Sequence, residues 1–102
     1  MEAEQGGQNS SRVKRLEPSE DVVGQQLGEE VVLVHLKTNR IFELNQTGGR
    51  FWNLLQSENE RERIEERLRE EYDVSEADLA AEVDSLISTL ASEDLVRILE
   101  RD

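Results

Sequence analysis

The spacing of hydrophobic residues divides the chain into two parts. Residues 1–17 carry almost no large apolar side chains, so burial would not offset the conformational entropy lost on ordering them. We therefore expect a disordered tail over residues 1–17 that ends before Pro18, the only proline. Residues 18–102 hold the periodic apolar positions and are predicted to form one domain.

Three β-strands are predicted in the first part of that domain. Apolar residues around positions 22–27 are followed by a polar turn, and a β-branched run over residues 31–36 has the composition of a buried strand. A tight turn, in which Asn39 can adopt a left-handed conformation, then leads to a third strand over residues 41–44. Short strands joined by turns predict an antiparallel meander.

Three amphipathic helices are predicted after residue 45, where the apolar spacing becomes helical. Asn45 or Thr47 caps the first helix, Ser57 and Glu60 form a candidate capping box for the second, and Ser75 caps the third. The apolar faces comprise Phe51, Trp52, Leu54 and Leu55 in the first helix, Ile64, Leu68 and Tyr72 in the second, and Leu79, Val83, Leu86, Ile87 and Leu90 in the third.

The order of the elements predicts the fold class. Strands followed by helices are typical of an α+β domain in which the helices cover one face of a small antiparallel sheet. The final segment, residues 95–99, alternates only weakly between apolar and polar residues and fits either a short strand or a packed extension.

The composition narrows the classes of function. An apolar fraction of 35% in 102 residues is enough for one hydrophobic core. The formal net charge is -12, and a surface this acidic repels nucleic acids and anionic membranes. The chain has no cysteine and its N-terminal residues lack the apolar region of a secretory signal, so we expect a cytoplasmic protein.

No group of residues predicts catalysis. Pairs of carboxylates at helical spacing, such as Glu62 and Glu65, are expected by chance among 24 acidic residues. His35 is the only histidine and lies in an apolar run, which favours a satisfied strand side chain over a metal ligand or base. Gly48 and Gly49 open the first helix without a phosphate-binding motif, so close helix–sheet packing explains them better. We predict no catalytic residue, no metal and no cofactor.

A binding surface is predicted beside the third strand. An open sheet edge offers unpaired backbone groups to an extended peptide. If residues 41–44 form that edge, Phe42 and Leu44 lie on one face and Ile41 and Glu43 on the other.

The third helix offers a partner surface. Ala80, Asp84, Ile87 and Ala91 lie beside its core line and could form a shallow groove next to the edge strand. The alternative is that Ile87 only broadens the core face of the helix.

Residues 31–55 carry a family resemblance. They read VVLVHLKTNRIFELNQTGGRFWNLL: a hydrophobic strand, a turn with Thr and Arg, an aromatic residue before Leu-Asn, then Thr-Gly and a Trp-x-Leu-Leu helix. This segment resembles the PqqD-like family, and the similarity continues through Tyr72 and the third helix to Leu95. The family often has glycine where this chain has Asp94.

The resemblance implies a winged helix-turn-helix-like domain with a three-stranded antiparallel sheet followed by three helices. It also implies binding of the N-terminal leader of a ribosomally made precursor peptide, as a strand added beside the third strand. The most similar members look like the stand-alone recognition proteins of lasso-peptide pathways, which pass the precursor to a leader peptidase before a cyclase acts. The candidate peptide contacts are then Ile41, Phe42, Glu43, Leu44, Ala80, Asp84, Ile87 and Ala91.

Two other functions stay open. A non-catalytic regulatory or scaffold subunit would bind a folded protein partner through the charged second helix, and would be favoured if the edge strand were already covered. DNA binding is disfavoured, because the predicted third helix from Ser75 to Glu93 contains no Lys or Arg for a phosphate backbone.

Overall fold

Two antiparallel sheets and three helices make up residues 13–102, the part of the chain that the computed structural model describes. In chain order the elements are β1 (Val13–Pro18), β2 (Val22–Leu27), β3 (Glu30–His35), β4 (Ile41–Leu44), α1 (Gln46–Leu55), α2 (Arg61–Glu71), α3 (Glu76–Ser92) and β5 (Val96–Arg101). The predicted α+β class is confirmed, although the strands form two sheets rather than one. None of these helices is both long and apolar enough to cross a bilayer.

The predicted meander is confirmed as a three-stranded sheet of order β2-β3-β4. Alternate residues of β3, beginning with Val31, are buried, and the residues between them are half-buried. One face of the sheet therefore meets the hydrophobic core. The turn between β3 and β4 contains Asn39 with a φ of 63°, the left-handed conformation expected for it.

β1 corrects the predicted boundary of the tail. This strand pairs antiparallel with β5, with Leu16 opposite Ile98, and the side chains of Val13 and Leu16 are buried in the core. The prediction of a disordered tail is therefore wrong for residues 13–17, and residues 1–12 lie outside the described residues. Register shifts on both sides of Arg15 break the alternation of β1, so the sequence shows no strand pattern there.

The segment over residues 95–99, for which two structures were expected, contributes to β5. Leu95 and Val96 are buried, and Leu95 accepts a backbone hydrogen bond of 3.0 Å from the N–H of Ser19. A strand therefore follows the helices, and together with β1 it forms a second sheet of two strands.

Two of the three predicted helix starts are confirmed. Asn45 caps α1 by accepting a hydrogen bond of 2.8 Å from the N–H of Gly48, and Ser75 caps α3 by accepting one of 3.1 Å from the N–H of Asp78. The capping box predicted for α2 is wrong, because Glu60 is itself the N-cap residue and makes no side-chain capping hydrogen bond.

α1 packs closely on the three-stranded sheet. A Cβ atom at Gly49 would lie 2.9 Å from Cγ2 of Val31, so any larger residue would force the helix and the strand apart. Phe51 and Trp52 are buried in the core, as their position in the apolar stripe predicts. The glycine pair thus serves the contact between helix and sheet.

Candidate functional site

β4 is an edge strand. It pairs with β3 on one side, and no other strand of residues 13–102 pairs with its second side. His35 N donates a hydrogen bond of 2.9 Å to Arg40 O, and backbone groups alternate in direction along an antiparallel strand. The N–H and C=O groups of Ile41 and Glu43 therefore point away from β3. They are in position to pair with an added strand.

The side chains of β4 alternate between the two faces of the sheet. Phe42 and Leu44 lie opposite buried residues of β3 and contact the core, with Leu44 buried and Phe42 half-buried. Ile41 points to the other face and is 67% exposed. Glu43 is exposed on that same face. The predicted division of the strand is the one observed.

Apolar side chains of β4 and α3 come near each other at the start of α1, where Leu44 and Leu86 both lie close to Gly48. Phe42 and Leu86 are both half-buried and pack against the same hydrophobic core. Leu86 Cδ1 lies 3.5 Å from the position of a Cβ atom at Gly48, which puts Leu86 beside the start of α1 and hence near the end of β4. We call the surface formed by Phe42, Leu44 and Leu86 the β4–α3 groove.

Arg40 spans one end of the β4–α3 groove. Its guanidinium carbon lies 5.2 Å from the centre of the Phe42 ring, within the range of a cation–π contact. Its Nη1 atom donates a hydrogen bond of 2.9 Å to Oε1 of Glu93, the C-cap residue of α3. The Arg40 side chain thus covers part of the ring that faces the groove.

Ala80 and Asp84 lie on the other flank of α3. Arg61, the first residue of α2, donates a hydrogen bond to the Ala80 carbonyl and another of 2.5 Å to Oδ1 of Asp84. Ala91 follows Asp84 by two helical turns and so shares that flank. The structure does not bring these three residues together with β4. Their role in peptide binding stays a prediction that their positions do not favour.

The flank with Asp84 is organised by a buried arginine. The Arg61 side chain is 9% exposed, and its Nε atom lies 2.7 Å from Oε2 of Glu65. These groups line an open cavity of about 530 Å³ together with residues of β1, among them Lys14. A buried arginine needs carboxylate partners. Asp84 is one of them, and its hydrogen bond with Arg61 joins α3 to α2.

Ile87 is wholly buried, with 0% exposure, and belongs to the core. This burial favours the alternative that Ile87 broadens the core face of the helix, and its role in peptide binding stays a prediction. Leu86, which the sequence places in the core line of the helix, is only partly buried and is a further candidate contact. Neighbouring residues of a helix point about 100° apart, so Leu86 and Ile87 both fit within one broad apolar stripe.

His35 is a satisfied strand residue, as predicted. It is buried, and its Nδ1 atom accepts a hydrogen bond of 3.3 Å from the N–H of Lys37. Its Nε2 atom therefore carries the proton and donates to Asp94. Both ring nitrogens are thus engaged within the domain.

Comparisons with known proteins agree with this architecture. The family model for PqqD, coenzyme PQQ synthesis protein D, matches residues 30–96. A solved structure of TbiB1 in complex with the TbiA(beta) leader peptide is similar with 31% sequence identity and a TM-score of 0.75, covering 78% of this chain and 93% of that one. A lasso peptide synthetase B1 complexed with the leader peptide has 17% identity and a TM-score of 0.71, covering 80% of this chain and 96% of that one. No curated protein matches.

The fold and these matches define the class of protein as a PqqD-like RiPP recognition element, where RiPP stands for ribosomally synthesised and post-translationally modified peptide. The matched span begins with β3, includes β4 and all three helices, and ends at the first residue of β5. The chain belongs to the PqqD family. The similarity to the lasso peptide synthetase B1 concerns the fold alone.

Proposed function

We propose that this protein binds the N-terminal leader of a ribosomally synthesised precursor peptide in lasso-peptide biosynthesis. The observation that carries the proposal is the open edge of β4, where Ile41 and Glu43 direct their backbone groups away from β3. The similar TbiB1 structure, with 31% identity, is a complex with a leader peptide. In the proposal the leader adds to β4 as a further strand.

Affinity and selectivity come from different parts of the site. Backbone hydrogen bonds to β4 can form with any extended peptide, so they contribute affinity but do not discriminate between leader sequences. Alternate side chains of an added strand point toward the β4–α3 groove, where Phe42 and Leu86 offer half-buried apolar surface. We expect a dissociation constant between about 1 nM and 1 μM, equivalent to about -12 to -8 kcal/mol.

The protein performs no chemistry of its own in this proposal. It holds the leader and presents the precursor in the cytoplasm to a leader peptidase and then to a cyclase. The domain is related in this view to winged helix-turn-helix folds, with an acidic α3 that contains no Lys or Arg and does not suit DNA.

Glu43→Pro tests strand addition. Proline removes a backbone N–H that points away from β3, and it is tolerated on the free side of an edge strand. Glu43→Ala is the matched control, because it removes the side chain and keeps the N–H. Titrating both variants with a synthetic leader by calorimetry, we expect Glu43→Pro to weaken binding about tenfold or more and Glu43→Ala by less than about threefold.

The two possible failures have different signatures. Equal affinities of the Pro and Ala variants, with unchanged thermal unfolding, would show that the leader does not pair with β4. In an isotope-edited NMR titration of the wild type, we expect amide shifts at Ile41–Leu44 and at Leu86. No shift at high micromolar leader would instead favour the alternative, a non-catalytic scaffold subunit that binds a folded protein.

A further inference from the structure

β2 is a second open edge of the three-stranded sheet. It pairs with β3 on one side, and its other side has no strand partner among the described residues. Asp21 O accepts a hydrogen bond of 2.7 Å from Leu36 N, and backbone groups alternate in direction along an antiparallel strand. The N–H and C=O groups of Gly24 and Gln26 therefore point away from β3, where an added strand could pair with them.

The sequence of β2 does not protect this edge. Val22–Leu27 contains no charged residue and no proline, in a chain of which 35% is charged. Its register with β3 continues from one end of the strand to the other without a bulge. Charges, prolines and bulges are the usual means by which a protein prevents pairing at an edge strand. The β2 edge is therefore suited to strand addition.

A cavity of about 250 Å³ lies beside this edge, between β2 and α1. Of the residues that the structure describes, none that lines it is charged, and four contribute carboxamide side chains: Gln25, Gln26, Asn53 and Gln56. Asn53 Nδ2 donates a hydrogen bond of 3.0 Å to Gln26 Oε1, and Gln56 Nε2 donates one of 2.9 Å to Trp52 O. We call the space between these four side chains and Trp52 the amide pocket.

Trp52 presents an unpaired donor to the amide pocket. The residue is buried, with 4% exposure, yet its indole Nε1–H makes no hydrogen bond within residues 13–102. No side-chain nitrogen or oxygen of that part of the chain is both enclosed and unpaired, so Nε1 must reach the pocket opening. A Cβ atom at Gly24 would lie 2.8 Å from Nε1, so the glycine keeps this donor accessible. A buried indole N–H normally has an acceptor.

We propose that the β2 edge and the amide pocket bind a second extended peptide, a partner segment other than the leader, through a glutamine that enters the pocket. The inference does not rest on the proposed function. A residue paired opposite Gly24 would have its Cβ about 5 Å away on the same face of the sheet. The two methylenes of a glutamine then carry its carboxamide to the indole of Trp52.

The chemistry of the amide pocket favours a carboxamide over a carboxylate. The oxygen of a carboxamide accepts from Trp52 Nε1–H, while its NH₂ group can donate to Oε1 of Gln56. A carboxylate can accept but has no proton to donate. A chain with a formal charge of -12 also disfavours an added anion.

The ends of β2 define the charge of the peptide. Glu20 and Asp21 precede the strand, and Glu29 and Glu30 follow its last residue. Lys37 lies 3.8 Å from Asp21, which leaves both ends with net negative charge. A peptide with an uncharged centre and Lys or Arg at its two ends is therefore complementary in either direction. A second copy fits less well, because antiparallel pairing of two β2 strands would bring their acidic ends together.

The indole signal of Trp52 tests the proposal directly. Trp52 is the only tryptophan, so an isotope-edited NMR spectrum contains one indole N–H signal. The probe is the synthetic peptide acetyl-Lys-Thr-Val-Gln-Val-Thr-Lys-amide, titrated into the full chain, and matched probes carry Leu or Glu in place of Gln. With the Gln probe, we expect the indole proton to move to lower field as its hydrogen bond forms. The backbone amides of Gly24 and Gln26 should shift with the same dependence on concentration.

The matched probes measure the contribution of the carboxamide. We expect the Leu probe to bind about threefold or more weakly than the Gln probe, without the low-field shift of the indole proton. The Glu probe should bind about tenfold or more weakly than the Gln probe, because its charge is unfavourable in the uncharged pocket.

Variants of the protein identify the groups that read the glutamine. Trp52→Phe removes the indole N–H and keeps an aromatic ring, so the preference for the Gln probe over the Leu probe should disappear. Gln56→Leu, at an exposed position, should reduce that preference about twofold or more without loss of the fold. Ser57→Leu is the matched control, because Ser57 is also exposed but does not line the amide pocket. Leader affinity should change less than about twofold in Gln56→Leu.

Several results would overturn the inference. No binding of the Gln probe at millimolar concentration, or equal affinity for the Gln and Leu probes, would show that the indole N–H is only hydrated. A low-field indole shift produced by the leader would assign the β2 edge to the leader. A wild-type dimer in sedimentation velocity, with an indole signal that moves with protein concentration, would assign it to a second copy. These titrations do not require the leader to bind at β4, so failure of the proposed function is recognised separately.

Discussion

His35 Nε2 donates a hydrogen bond of 3.1 Å to Oδ2 of Asp94, a residue whose φ is 61°. His35 ends β3 and is buried, whereas Asp94 lies in the turn between α3 and β5. A positive φ favours glycine, which the PqqD-like family often has at this position. The aspartate keeps the left-handed turn and also gives the buried histidine a partner.

Substitutions at Asp94 should separate these two contributions. We expect Asp94→Ala to lower the free energy of unfolding by about 1–3 kcal/mol, because it removes the partner of His35 and keeps the unfavourable φ. Asp94→Gly loses the same partner but relieves the backbone, so it should exceed Asp94→Ala in stability by about 1 kcal/mol. Urea denaturation measures both, and equal stabilities would show that the backbone at this position carries no strain.

Leu86 and Ile87 should respond oppositely to truncation. Ile87→Ala leaves a cavity in the core, so we expect a loss of about 2–5 kcal/mol in unfolding free energy with leader affinity nearly unchanged while the protein is folded. Leu86 is half-buried beside the β4–α3 groove, so Leu86→Ala should cost less stability and weaken leader binding about fivefold or more. Chemical denaturation and calorimetric titration of both variants provide the comparison. Unchanged leader binding by Leu86→Ala would remove Leu86 from the site.

Arg40 should limit access to the Phe42 ring. Its ion pair with Glu93 is largely exposed, so Arg40→Ala should change stability by less than about 1 kcal/mol. An apolar leader side chain that reaches Phe42 competes with the guanidinium, and we therefore expect Arg40→Ala to tighten leader binding about two- to fivefold. Arg63→Ala is the control, since Arg63 pairs with Glu60 on α2. Weaker binding by Arg40→Ala alone would mean that Arg40 contacts the leader directly.

β1 should be essential for the stability of the domain. Leu16 is completely buried, so we expect Leu16→Ala to cost about 2–5 kcal/mol in unfolding free energy. Leu99→Ala, at a half-exposed position of the strand that pairs with β1, should cost less than about 1 kcal/mol. If both variants unfold at the same denaturant concentration as the wild type, β1 is dispensable and the domain begins after it.

The pairing of Arg50 with Glu71 should make stability sensitive to acid. Two hydrogen bonds of 2.7 Å from the Arg50 guanidinium lower the pKa of the Glu71 carboxyl below its ordinary value. The stability that this pair adds is therefore complete above about pH 4.5 and is lost as the pH falls through the lowered pKa. Because both side chains are about one-third exposed, we expect only a few tenths to about 1 kcal/mol. In denaturation from pH 7 to pH 3, Arg50→Gln should lose less stability than the wild type.

Local signals in the sequence were sufficient for much of the fold. The turn at Asn39 and the caps at Asn45 and Ser75 each depend on residues close in sequence, and each is present in the structure. The edge position of β4 followed from the number of strands in the meander. The resemblance to the PqqD-like family rested on the same region.

The features that were missed depend on distant contacts. β1 is recognisable only through its pairing with β5, in which Glu17 and Arg97 meet across 80 residues of sequence. The placement of α3 likewise involves distant contacts: Arg61 of α2 binds Asp84 on one flank, and Leu86 on the other flank lies beside the start of α1. A helical stripe predicts an apolar face, but it does not say which neighbour will cover each edge of that face.

The β1–β5 ribbon has a consequence for synthesis on the ribosome. β5 is translated after every other element described here. β1 therefore cannot pair with β5 until the three-stranded sheet and all three helices have been synthesised. During that interval Leu16 has no strand to cover it, and the nascent chain exposes part of its future core. The β1–β5 ribbon is therefore the last part of the described domain that can form during synthesis.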